Sequence, residues 1–166
     1  RRDAAGGPMK RGRIAAVALA CALALGRPAD SVAGSAVNEL DLWALALNIY
    51  HEAGAGRQAM LAVGWLTLNR RADPAFPDTV YEVVFDANGV GCAFDWTCDE
   101  KDDRPRDARR FALALEVAKE LLSSAPPPDP TGGALFMHAA SRTPPAYTKK
   151  LRRAAVIGQN VFYRRT

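Results

Sequence analysis

Histidine and cysteine are scarce in this chain: its 166 residues include two histidines and three cysteines. A four-ligand zinc site would need nearly all of them. The one metal-like stretch, HEAGA from His51, has Ala55 where H-E-x-x-H requires a second histidine. There is no G-x-S-x-G nucleophile elbow and no G-x-x-x-x-G-K phosphate loop. The apolar run IAAVALACALALG is short of the ~20 residues a spanning helix requires. No internal repeat appears, and outside that run Pro126–Pro128 is the sole low-complexity piece.

What is present begins with that run. Met9 is followed by Lys10, Arg11 and Arg13, then the apolar run, then the small residues of ADSVAGSA. A basic start, an apolar centre and a small-residue cleavage zone are the parts of a secretory signal. Residues 9–33 read as that signal, cleaved after Ala33 or Ala36, with residues 1–8 as an upstream piece carrying no fold signal. An uncleaved membrane anchor is one alternative. A lipoprotein at Cys21 is another, although ALAC has alanine where a large aliphatic is usual. The expected route is Sec export to the periplasm or cell wall, with the membrane met only through the signal segment.

Charge then changes meaning. The whole chain has 22 basic and 18 acidic side chains, a net of +4. Residues 1–33 hold six basic and two acidic ones, which leaves sixteen of each in residues 34–166. The export segment accounts for the basic balance, so nucleic acid is not an expected partner. From Asp95 to Asp107 six acids face three bases, and from Arg142 onward there are seven bases and no acid. That tail reads as a solvated face or as a contact for an anionic polymer.

Residues 37–166 are expected to fold as one domain. Cys92 and Cys98 remain after export, and in an oxidising compartment a pair closing a short loop reads as a disulfide. A zinc site is the alternative, with only His51 and His138 to complete it.

Helical signals dominate the first two-thirds. Asn38 is placed to cap a helix with Glu39 and Asp41 in its first turn and Leu40, Trp43, Leu47 and Tyr50 at helical spacing, ended by Gly54 and Gly56. A second helix, expected from Arg57 to Arg71, is apolar on more than one face and should be central. Thr79 and Glu82 form a capping-box pattern for a short helix through Phe85. The glycines, cysteines and aromatics of residues 87–103 predict an irregular loop or short hairpin. Asp107 opens a long helix with Phe111, Leu115, Ala118 and Leu122 along one stripe, which APPPDPTGG ends. ALFMHA, AAVI and NVFY read as strands, the last two joined by Gly158-Gln159 as a hairpin turn. The fold class is α+β, mostly helical, with a small antiparallel sheet near the C-terminus.

Glu52 follows the last apolar turn of the first helix, where the negative end of the helix dipole favours its neutral form. Burial beside Trp or Tyr acts in the same direction. A carboxylic acid kept protonated near neutral pH is what general acid catalysis requires. Most such glutamates simply point into water, so position alone does not decide the matter.

Five ordered blocks, ALALNIYHEAGAGRQAMLAVGWLTLNRR, FPDTVYEVVF, GCAFDWTCDEKDDRP, DPTGGALFMHA and VIGQNVFY, resemble the SleB-type cell wall hydrolases over about residues 40–164. The resemblance implies a lysozyme-like fold, the peptidoglycan glycan strand as substrate and partner, Glu52 as the essential acid, and no metal or cofactor. It implies cleavage between N-acetylmuramic acid and N-acetylglucosamine. Three departures stand out. The family often has a second acid where this chain has Gly56, a histidine where it has Asn160, and tyrosine where ALFMHA has Met137. A missing second acid would disable a two-carboxylate glycosidase. It does not disable a lytic transglycosylase, in which one Glu acts as both acid and base, and Asp95 or Asp99 is a candidate replacement.

The neighbouring residues have paired readings. Phe94 and Trp96 are candidates to stack on sugar rings or to pack over the core. Asn69 is a candidate to bind an acetamido group or to satisfy a buried loop. His138 is a candidate to bind a sugar hydroxyl, to shuttle a proton, or to be structural. Tyr163 reads as core, and Gly132-Gly133 as the turn into the sheet. A monomeric lytic transglycosylase is expected. The alternatives are a water-using muramidase, a non-catalytic wall-binding module and a zinc amidase.

Overall fold

A computed structural model describes residues 38–87 and 91–166. The signal and cleavage zone expected over residues 9–33 lie outside the described residues. Four helices come first: α1 (Glu39–Glu52), α2 (Arg57–Ala72), α3 (Val80–Phe85) and α4 (Ala108–Leu121). Three strands follow: β1 (Phe136–Ala139), β2 (Arg152–Ile157) and β3 (Asn160–Arg164). Short 3-10 turns cover Asp95–Cys98 and Ala146–Lys150. Among the described residues no helix is long and apolar enough to cross a membrane.

The helix starts follow local chemistry. Asn38 Oδ1 accepts from the Leu40 amide at 3.0 Å, and the Thr79 hydroxyl accepts from the Glu82 amide at 3.1 Å. Asp107 Oδ1 accepts from the Arg110 amide at 3.0 Å. The Tyr50 hydroxyl accepts from the Arg106 and Asp107 amides, so the end of α1 and the start of α4 are fixed to each other.

The core is shared by α1 and α2. Residues 44–49 of α1 are all buried, because this helix packs against α2, α3 and α4. α2 is buried from Ala59 to Arg70 on most of its circumference, as its all-round apolarity predicts. Gly64 permits the close approach. A Cβ there would overlap Leu121 Cδ1 and lie 3.1 Å from Ile49 Cδ1. The buried face of α4 is Ala114, Val117, Ala118 and Leu121, with Phe111 and Leu115 at its margin. That face sits slightly round the helix from the predicted stripe, because α4 packs against both α1 and α2.

The sheet is antiparallel with order β1-β3-β2, so the chain's last strand is central and carries the fully buried Phe162. Gly158-Gln159 makes the β2–β3 turn, with Gly158 at φ +58° and Ile157 opposite Asn160. Before α4 the chain is irregular, as expected, apart from a bridge between Ala87 and Cys92 and the 3-10 turn. Cys92 and Cys98 are joined as a disulfide across that segment.

Candidate active site

Glu52 is the last residue of α1, and its side chain reaches a cleft of about 1220 Å³. The disulfide loop forms one wall and β1 with the segment to Tyr147 forms another. Glu52 is half-buried. Burial pushes its carboxyl from 4.5 up to about 7, and the nearby Asp95 carboxylate adds to this. Arg70 and Arg142 pull the other way without overcoming it. The group is therefore substantially protonated at neutral pH, as its place at the helix end suggests.

The loop that carries the aromatics is built inward. Phe94 and Trp96 are only 4% and 7% exposed and belong to the core, though their edges contribute to the cleft wall. Trp96 Nε1 donates to Asn48 Oδ1 at 2.9 Å, and Asn48 Nδ2 donates to the Thr67 hydroxyl at 3.0 Å. The Thr67 hydroxyl in turn donates to the Val63 carbonyl. This buried chain ties the disulfide loop to α1 and α2. His51 stacks on Trp96 with centroids 4.5 Å apart, and its Nε2 donates to the Asp103 carbonyl. Of the paired readings for Phe94 and Trp96, core packing is the one the burial matches, since a stacking platform needs an open ring face.

Asn69 does not line the cleft. Its amide donates to Asp129 Oδ2 at 3.0 Å and to the Ala134 carbonyl at 3.2 Å, organising the turn into β1. The loop-satisfying alternative fits this position and the acetamido contact does not. His138 lines the cleft, but both ring nitrogens are engaged. Nδ1 lies 2.8 Å from the Ala139 carbonyl and must donate to it, and Nε2 lies 3.0 Å from the Tyr163 hydroxyl. Both contacts hold the ring against the cleft wall.

Other residues converge on the cleft, and Arg70 and three aromatics among them were not singled out from sequence. Arg70 is buried in its wall, between the rings of Phe94 and Phe76 at 4.8 and 5.5 Å. Phe76, Phe136 and Tyr147 form a row, with centroids 6.3 and 6.0 Å apart in sequence, and they face the open cleft. Asn160, at the histidine position of the resemblance, lies behind the C-terminal end of α1, its Nδ2 3.4 Å from the Glu52 carbonyl oxygen. Arg142 and Asp95 face each other at 4.0 Å across the mouth. Arg70 had a signal in the sequence, since it continues the buried α2 positions Val63, Leu66 and Thr67 at helical spacing. The aromatic row had none, coming from three separate segments.

Gly56 caps α2 at φ +100°, is exposed and lies outside the cleft lining. Asp95 and Asp99 do line the cleft, and Asp99 is paired with Lys101 at 2.6 Å. Among the described residues no three His, Cys, Asp or Glu side chains come together as a metal site.

Four helices with a small antiparallel sheet, and a lone half-buried glutamate at a helix end facing an open cleft, define a lysozyme-like α+β domain. The Cell Wall Hydrolase family model matches residues 54–163, and the chain belongs to this family. Glu52 lies two residues before the matched span, so its assignment rests on its place in the cleft. The fold is similar to the crystal structure of the catalytic domain of the Bacillus cereus SleB protein. The TM-score is 0.59 at 22% identity, covering 78% of this chain and 94% of that one. It is also similar to the catalytic domain of the germination-specific lytic transglycosylase SleB from Bacillus anthracis. There the TM-score is 0.57 at 22% identity, covering 78% and 98%. No curated protein sequence matches the chain.

Proposed function

We propose that this domain is an exported lytic transglycosylase that cuts peptidoglycan between N-acetylmuramic acid and N-acetylglucosamine, with Glu52 as its single acid and base. The observation that carries this reading is the Glu52 carboxyl, held protonated up to about 7 in the wall of a cleft large enough for sugar rings. Family membership supplies the wall as the place of action.

Glu52 gives its proton to the bridging oxygen, the bond from the muramic acid C1 to that oxygen breaks, and its electron pair leaves with the oxygen. The acetamido oxygen of the same sugar stabilises the positive C1. The 6-hydroxyl oxygen then bonds to C1, and its proton passes to the Glu52 carboxylate. A 1,6-anhydro ring forms, no water is consumed, and Glu52 ends as it began. Phe136 and Tyr147 offer aromatic surface for sugar contacts along the cleft.

Mass spectrometry of fragments released from sacculi tests this directly. Ends in 1,6-anhydromuramic acid are expected, and Glu52→Gln should release none while remaining folded. A Glu52→Gln variant that digests sacculi at the wild-type rate would remove Glu52 from the mechanism. The carboxylate of Asp95 near Glu52 favours one second reading, hydrolysis with Asp95 assisting a water. Reducing ends in place of anhydro ends would establish that reading instead.

A further inference from the structure

Arg70 is the unusual charge in this molecule. It is buried in α2, and among the described residues no carboxylate lies within ion-pair distance of it. Nε donates to the Leu135 carbonyl at 2.8 Å and Nη1 to the Ala93 carbonyl at 3.3 Å. Phe94 and Phe76 cover the guanidinium from two sides. Carbonyls and ring faces offset part of the cost of burying a cation, but they do not neutralise it. Burial lowers even this guanidinium, to about 10. Its charge is felt by Glu52 and Tyr147, which line the same cleft.

A purely structural tie between α2, the disulfide loop and the turn into β1 would need the two hydrogen bonds but no charge. A positive charge fixed rigidly in a dry wall has a clear use beside a group that alternates between neutral acid and carboxylate. Preorganised charge aimed at a developing anion lowers the barrier without rearrangement during the reaction. Arg142 is less suited to this, because it is exposed and faces Asp95.

We propose that Arg70 is a positioning residue for the cleft chemistry, an unpaired buried cation that stabilises the negative charge Glu52 acquires on giving up its proton. This rests on Glu52 as the acid, and it names the group that makes the second half of the cycle accessible. The other charged and titratable groups that share the cleft with Glu52 are His51 on α1, Asp86 after α3, Asp95 and Asp99 in and just after the disulfide loop, Arg110 on α4, His138 on β1, and Arg142 and Tyr147 beyond it. Of these, Asp95 opposes ionisation of Glu52, and Arg142 assists it from the exposed rim.

The test is an NMR titration without substrate, following the Glu52 side-chain carboxyl and the Arg70 guanidinium nitrogens in labelled protein. In the wild type, the Arg70 signals should shift with the midpoint at which Glu52 ionises, and that shift should vanish in Glu52→Gln. In Arg70→Gln the Glu52 midpoint should rise by about one pH unit, as loss of a nearby opposite charge requires. The alkaline limb of activity should move upward with it, and kcat on its plateau should fall by up to about tenfold. Arg70→Lys, which keeps the charge, should restore most of the midpoint. If the Arg70 signals in the wild type ignore Glu52 ionisation, or if Glu52 titrates unchanged in a folded Arg70→Gln, the proposal is overturned. The wild-type measurement decides the matter even should Arg70→Gln fail to fold. Loss of the Glu52 assignment would appear separately, as undiminished activity of Glu52→Gln.

Discussion

Glu52 should make the folded domain less stable as pH rises, and glutamine in its place should remove that penalty. The carboxyl stands at about 7 in the folded chain against 4.5 for the free group. Between those values the folded state binds the proton more tightly than the unfolded chain, so stability falls as pH rises through the window and levels off above it. The displacement corresponds to about 3 kcal/mol at full ionisation. Glu52→Gln carries no charge at any pH and keeps nearly the same shape. At pH 3.5, where both states of the wild type are mostly protonated, the variant and wild type should differ little. At pH 8.5 the variant should be more stable by up to about 3 kcal/mol, or about 10 °C in Tm for a domain of this size. Urea unfolding of both proteins at the two pH values measures a double difference in which every other titrating group cancels. A difference that stays the same at both pH values would refute the buried-acid account of Glu52, whatever the activity of the variant.

Three further outcomes follow from packing and covalent structure. Gly64→Ala should destabilise the domain by about 1–3 kcal/mol in urea unfolding, because the added methyl overlaps the buried Leu121 where α2 meets α4; an unchanged midpoint would mean that the helices part without strain. The native protein should show no thiol that labels without reduction at Cys92 or Cys98, and replacing both by serine should cost about 2 kcal/mol for so short a loop. Asn48→Ala should cost about 1–3 kcal/mol by leaving Trp96 Nε1 and the Thr67 hydroxyl without their buried partner, and the Trp96 environment should change in near-ultraviolet circular dichroism.

Much of the fold was legible because its signals are local. Asn38, Thr79 with Glu82, and Asp107 each cap the helix that their position predicts, and Gly158 turns the hairpin. The place of Glu52 at the end of α1 was legible for the same reason, since a helix end is a local feature. What the sequence hides is what a buried side chain meets. Helical spacing from Val63, Leu66 and Thr67 turns Arg70 rather than Arg71 inward, but the carbonyls and rings that surround its guanidinium come from distant segments. Phe94 and Trp96 looked available because they lie in an irregular loop. They are drawn inward by Arg70 and by Asn48, which lies 48 positions before Trp96. The aromatic row could not be read at all, since Phe76, Phe136 and Tyr147 meet only in the folded chain.

Gly56 adopts φ +100° to start α2 and is not among the residues that line the cleft, so a side chain there would meet backbone strain. The electrostatics of Glu52 come instead from opposed influences already in the wall: burial and Asp95 on one side, Arg70 and Arg142 on the other. Desolvation alone would make a carboxyl that keeps its proton but donates it poorly, and cations alone would make a carboxylate with nothing to give. A group that must donate a proton and then recover one works best near the midpoint between these limits. A value of about 7 lies there. In the transglycosylation proposed above, one carboxyl balanced in this way would serve both steps of a cycle that consumes no water, with no second acid required.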